Sequence, residues 1–540
     1  MRLLTYIPKQ WQETWALANV RIAQWIEESD PDSDAYTDAL MWDLLLHKLL
    51  LPADKRMRGR KRAHRGPRSG GSGVRSVSIC MGLFLSEDYQ GLVSHLSDRI
   101  QSALRRRSMR RKSSQRDQEI GVQIKVQQAH DLLACGRFSK AHKTLLSMGL
   151  GDLSDPEIVK QLAAKHPGRR EHLPGVPTPD CAHIRHSVSL RDQYRTLKPL
   201  SGTGPSDYRN EYLRALSRKF NDPVADQVIE KHEMVAGKYI NAELPSWYYF
   251  VIGSVEMLAL IKSQPAPPLL TPDVRPIGVG NCKRRSWLST FMEDRSEELS
   301  ETFKPQQMGV GVKSGMQKSY ASIDIHCSHP QHRHHVVGTI DIKNAYQETE
   351  RAGMLRAIKA HPQWRQIYKT IWATMSPACI IKHVDQVLSD NGCIQGDPPA
   401  TATFCMAIHS DVVWADTYLK ARGGFAIFFA DDGYFVGPAS DVYHVMNEFR
   451  RRIRARLNLH YSEPKCKMWF LDAVTLRRFD VEYPECPYAK TLDGLMIAKV
   501  PLGTRQFVKE KLGSKIDKVL SETTKIFNLL RTAVTHVCST

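Results

Sequence analysis

The chain has 540 residues, 25% charged and 42% hydrophobic, the composition of a globular protein with room for about two to four cored domains. That composition excludes a disordered chain, a collagen and a small disulfide scaffold. Lysine plus arginine exceed aspartate plus glutamate by 76 − 57 = 19, so the surface should attract polyanions, with nucleic acid or an anionic membrane as the expected partner.

A membrane span is not expected, because the longest apolar stretch, Trp247 to Ile261, is too short and is interrupted by Glu256. Pro8 and Lys9 end the apolar run Leu3 to Ile7, which leaves no secretory signal. The 11 cysteines show no CxxC pairing, and an odd number in a chain without a signal argues for reduced thiols. The expected location is nucleus or cytoplasm, not outside the cell.

In chain order, residues 1–115 form a basic N-terminal region. Within it, 55–73 (KRMRGRKRAHRGPRSGGSG) read as a flexible basic linker, either a solvated loop or a nuclear-import or nucleic-acid-contacting segment. A second basic cluster, Arg105 to Lys112, ends a helix expected to begin near Tyr89. Residues 116–200 form a helical module and linker. Val126, Ala129, Leu132 and Leu133 are assigned to one helix face, Gly136 is a stop, and a second helix restarts at Ser139. Asp155 before Pro156 is a cap-and-proline start for a third helix. Five prolines then mark 167–200 as an extended linker. From about Gly204 short apolar strands, such as Val336–Ile340 and Phe425–Phe429, alternate with helical stretches, which indicates α/β or α+β layers.

Three acids fall where strands should end or turn. Asp341 closes VVGTI, and Asp431 and Asp432 sit between GFAIFFA and the run beginning at Gly433, a hairpin with carboxylates at its tip. Each alone reads equally well as a turn residue. Together they suit a pair of divalent cations, which relieves their repulsion and clamps both oxygens of an in-line phosphoryl displacement. Between them, Gly392 to Pro399 (GCIQGDPP) is a glycine-bearing turn feeding a long helix from Ala400, where backbone can approach a planar ligand closely.

DIKNAY at Asp341–Tyr346, GCIQGDP at Gly392–Pro398 and FADD at Phe429–Asp432, in this order, resemble motifs A, B and C of reverse transcriptases of the non-LTR retrotransposon type. Flanking segments extend the resemblance over about Gly204 to Gly503. GPSDYR at Gly204–Arg209, Lys262 and RPIGVGNCKRR at Arg275–Arg285 are similar to finger segments; LNLHYSEPKCKMW at Leu457–Trp469 is similar to motif D; LMIAKVPLG at Leu495–Gly503 is similar to the primer grip.

The resemblance implies an α+β right-hand polymerase fold with fingers over 201–335, palm over 336–490, and primer grip and partial thumb over 491–540. It implies an RNA-directed DNA polymerase that adds dNTPs to a DNA primer or target DNA on an RNA template with two Mg²⁺ ions, Mn²⁺ being an alternative. Asp341, Asp431 and Asp432 would be the metal ligands. Lys262 and Arg275 would grip the triphosphate, and Gln395, Gly396 and Asp397 would line the floor under the nascent pair. Tyr346 would exclude the ribose 2′-hydroxyl, and Lys465 would be the general acid for pyrophosphate. Two other readings stay open: a retired or truncated element that only binds nucleic acid, and an RNA-dependent RNA polymerase, which Tyr346 and the QGDP turn disfavour. Outside the family pattern lies His326, Cys327, His329, His332, His334, His335, either a zinc-binding group or a solvated insertion.

Overall fold

The computed structural model describes residues 3–52, 75–97, 117–175, 184, 188–263, 271–377, 379–382 and 388–538. The basic runs at 55–73 and Arg105–Lys112 lie outside the described residues. The molecule is mixed α+β, mostly helical with small sheets. No helix among the described residues is long and apolar enough to cross a membrane. The chain divides into two compact units, Met1–Thr144 with Ile184–Glu256 and Val279–Phe291, and Leu145–His183 with Met257–Gly278 and Met292–Thr540.

The first unit is helical around an aromatic core. Trp15, Tyr36, Tyr208, Tyr212, Tyr239, Tyr248 and Trp287 are fully buried. One ion pair is buried with them: Lys283 donates to Asp43, whose other oxygen accepts from Tyr248 Oη at 2.8 Å. Two charges can be buried together because each satisfies the other and the remaining lone pair is hydrogen-bonded. Segments Gly204–Arg209 and Asn281–Arg285, far apart in sequence, meet here. Asn281 Nδ2 donates to Ser206 Oγ (2.9 Å), while Tyr208 packs edge-on to His47 with ring centroids 4.8 Å apart.

The helical module follows its sequence signals with one correction. Helix Asp117–Ala134 ends at Gly136, whose φ of +70° stops it, and Phe138–Leu146 follows. Ala129 and Leu132 are buried, but Leu133 is 45% exposed and does not share their face. Adjacent residues on a helix point about 100° apart, so the Leu132–Leu133 doublet cannot bury both side chains against a narrow face. Asp155 accepts from Glu157 N (2.9 Å) and caps helix Pro156–Ala164.

The strands run in chain order as β1 (Val255–Ser263), β2 (Asp273–Gly280), β3 (His335–Ile340), β4 (Cys379–Lys382), β5 (Leu388–Ser389), β6 (Phe425–Phe429), β7 (Asp432–Pro438), β8 (Lys467–Phe470), β9 (Ala489–Thr491), β10 (Gly494–Ile497) and β11 (Val500–Gly503). A small sheet has the order β2-β1-β4-β5. The sheet that positions the candidate site has the order β6-β7-β3-β8-β9, antiparallel except for the β8–β9 pair.

That central sheet is covered on both faces, which is why β3 reads as an unbroken apolar run. Gly338 leaves room on one face for helix Ala439–Leu457: a Cβ there would lie 2.5 Å from Met446 Sδ and 2.8 Å from Val442 Cγ1. Phe428, Phe435 and Phe449 pack on the same side with centroids 5.4–5.6 Å apart. On the other face Val337, Ile427, Tyr434, Val436 and Trp469 join Ile323 of helix Gly315–Ser328 and Leu495, Ile497 and Leu502 of the β10–β11 hairpin.

Candidate active site

Register brings the three acids to one end of this sheet. Asp341 directly follows β3, and Ile340 pairs with Gly433 of β7, next to Asp432. Phe429 pairs with Asp432, so Ala430 and Asp431 are the two loop residues between β6 and β7. Two-residue hairpin turns favour positive φ, and Ala430 sits at φ +56°, a conformation that costs an L-residue about 1–2 kcal/mol.

Gln307 holds this turn in place. Its side-chain oxygen accepts from Ala430 N (2.8 Å) and its amide donates to Ala430 O (3.1 Å), a buried two-point clamp. Met308 N donates to Phe428 O and Phe428 N to Gln306 O, both at 2.7 Å, so this segment pairs with β6 like an extra strand. Gly309 makes the approach possible, since a Cβ there would lie 2.5 Å from Ala430 N.

The carboxylates load one another electrostatically. Burial pushes the Asp431 carboxyl up, and the nearby Asp341 adds to it; Lys465 and Arg275 act in the opposite direction. Burial together with Asp431 and Asp341 raises Asp432 to about 6, against Lys499 and Lys465. The Lys465 ammonium sits on Asp341, 2.9 and 3.1 Å from its two oxygens. The turn Glu463–Lys465 is tied to the same place, because Ser462 N donates to Asp341 O (2.8 Å) and Lys343 N to His460 O (2.9 Å). Half-buried carboxylates that repel one another and already draw an ammonium fit a hard divalent cation with oxygen ligands. Among the described residues, the group of three His, Cys, Asp or Glu side chains gathered closely enough to hold an ion is His326, His332 and His335, and the three aspartates are not so gathered.

Tyr346 lies beside this cluster. It is half-buried in helix Ala345–Glu348, its ring tilted against Phe404 at 5.3 Å and its hydroxyl 3.3 Å from Thr401 Oγ1. Burial raises its hydroxyl pKa, with Cys405 and Asp431 adding to the effect, so the phenol stays protonated. The glycine-bearing turn is bound to it, as Cys393 N donates to Tyr346 O (2.7 Å). Gly392, at φ +60°, has no room for a Cβ, which would lie 2.4 Å from the carbonyl oxygens of both Tyr346 and Gln347. Gln395 and Gly396 are exposed, and Asp397 closes the turn by donating its N–H to Ile394 O (3.0 Å).

The two finger cations part company. Arg275 is close enough to Asp431 to act on its carboxyl. Lys262 is exposed and instead pairs with Asp273 at 3.1 Å, a carboxylate that Lys165 also reaches at 2.8 Å. Sequence reasoning missed Gln307, Gly309 and Lys499. Lys499 belongs to the β10–β11 turn with Ala498, both at positive φ, and Tyr434 Oη accepts from Ala498 N at 2.9 Å. The glycines at 309, 311 and 315 were the visible sign that backbone is crowded after Gln307.

No family model matches the chain, and no curated protein is found to be similar to it.

Proposed function

We propose that the chain is an RNA-directed DNA polymerase of the non-LTR retrotransposon type, with 201–335 as fingers, 336–490 as palm and 491–540 as primer grip and partial thumb of a right-hand fold. The observation that carries the reading is the meeting of Asp341, Asp431 and Asp432, from two separate motifs, at one end of a sheet ringed by Lys465, Lys499 and Arg275. Mg²⁺ ions, with Mn²⁺ as an alternative, would be held by these three aspartates and would supply Lewis-acid activation and charge neutralisation for phosphoryl transfer.

The chain's own residues do the rest. Arg275 and Lys499 offset charge spread over the triphosphate oxygens. The Tyr346 ring, fixed by Phe404 and Thr401, fills the space a 2′-hydroxyl would need and so selects deoxynucleotides. Gln395, Gly396 and Asp397 present an open turn under the nascent pair, and Lys465 Nζ holds a proton for the departing pyrophosphate. Lys262 would act on substrate only by leaving Asp273. RNA template and DNA primer would bind through the excess of basic residues.

Substrate choice tests the reading. Purified chain on a primed homopolymer RNA should incorporate the complementary dNTP and discriminate against the NTP; preference for the NTP would make it an RNA-synthesising enzyme.

A further inference from the structure

At the end of β3 opposite Asp341, three imidazoles converge. His326 comes from the last turn of helix Gly315–Ser328, His332 from the short turn Pro330–His332, and His335 is the first residue of β3. One ring nitrogen from each lies within 4.8 Å of the others. His326 Nε2 and His335 Nδ1 face each other at 2.8 Å. The rings of His326 and His332 are stacked with centroids 3.8 Å apart, and His332 and His335 are 4.7 Å apart.

At 2.8 Å one ring N–H of the His326–His335 pair donates to the other ring's lone pair, and a cation replacing that proton would be held by both lone pairs. His332 Nδ1 donates to the His326 carbonyl oxygen (3.1 Å), which fixes the tautomer and leaves Nε2 as the ligand. Phe425 walls the group on one side, its centroid 5.4 Å from that of His326. Tetrahedral zinc with Zn–N near 2.0–2.1 Å needs nitrogens about 3.3 Å apart, between the 2.8 Å of the His326–His335 pair and the 4.8 Å that encloses all three, and the stacked His332 ring would turn to aim its lone pair at the ion.

We propose that His326, His332 and His335 form a zinc site, with water as the fourth ligand, that staples helix Gly315–Ser328 and the turn after it to the first residue of the central strand. Nitrogen donors of borderline softness select Zn²⁺ over the Mg²⁺ that oxygen ligands prefer. His329 and His334, exposed on either side, are not ligands. The site is independent of the polymerase reading, since it lies a whole strand, about 20 Å, from the aspartates.

The test is a zinc titration of the full-length chain stripped with chelator, run in excess Mg²⁺ so that the carboxylates do not take up zinc. Competition with a chromophoric chelator should show one equivalent bound and a raised melting temperature, and Co²⁺ should give the intense visible bands of a four-coordinate site. His332→Ala, a half-buried position, and the milder His326→Gln should each weaken zinc binding about 100-fold or more while circular dichroism shows a folded chain. His334→Ala should bind like the wild type. No stoichiometric zinc in the folded wild type, or equal binding by folded His332→Ala, overturns the proposal.

Discussion

The two ends of strand β3 solve opposite problems with the same six residues of scaffold. At the Asp341 end, three carboxylates from the end of β3, the β6–β7 turn and the start of β7 act on one another, with lysines and an arginine near enough to offset them. At the His335 end, three imidazoles pack with ring centroids 3.8–5.0 Å apart, and one nitrogen of each lies within 4.8 Å of the others. The difference lies in the ligands. Like charges raise the energy of a site that holds no cation, whereas uncharged groups can pack without that repulsion.

Substitutions at the acid end should break the comparison most severely. Asp431→Asn should abolish nucleotide addition and leave RNA affinity nearly intact, because it removes one charge of the cluster and none of the basic surface; filter binding alongside primer extension separates the two. Lys465→Arg keeps the pairing with Asp341 but cannot readily give up a proton, so single-turnover addition should slow by roughly 10²–10⁴ with little change in dNTP affinity. An unchanged rate would leave Lys465 as neutralising charge alone. Tyr346→Ala should admit ribonucleotides, relaxing dNTP-over-NTP selectivity by roughly 10–200-fold, read from competing incorporation.

Two smaller effects sharpen the account of how the acid end is held. Gln307→Ala strands the Ala430 N–H and carbonyl in a buried turn already at positive φ, and should cost about 1–3 kcal/mol in denaturant unfolding. Asp432 has its pKa raised to about 6 in the folded state, above the ordinary carboxylate value. Its contribution to stability is therefore full below about pH 4 and lost as pH rises through 6. Without divalent cation, the stability of Asp432→Asn relative to wild type should rise across that window. Mg²⁺ should reduce the difference by favouring the ionised carboxylate.

How much of this was legible in sequence follows from what periodicity and local chemistry can carry. The strands β3 and β6 announced themselves as short apolar runs, and Asp155–Pro156 as a helix start, because those signals are local. The Leu132–Leu133 doublet misled because hydrophobicity alone does not say which of two neighbours faces the core. Asp341, Asp431 and Asp432 could be named from strand ends, but their common location depends on register between β3 and β7, which no single segment encodes. Gln307 was invisible for the same reason: its partner is a backbone turn 123 residues away. The histidine group was visible as a composition, yet only the turn after Ser328 shows that three of its members meet.

The central claim is that the carboxylate end of β3 joins deoxynucleotides to a primer on RNA. Its most direct test is incorporation of labelled dTTP by purified full-length protein on oligo(dT) annealed to poly(rA), in Mg²⁺, beside folded Asp431→Asn. The account predicts template-dependent extension by the wild type and none by the variant. Wild-type protein that binds the primed RNA tightly yet adds no nucleotide with Mg²⁺ or Mn²⁺, or a variant as active as wild type, would contradict it.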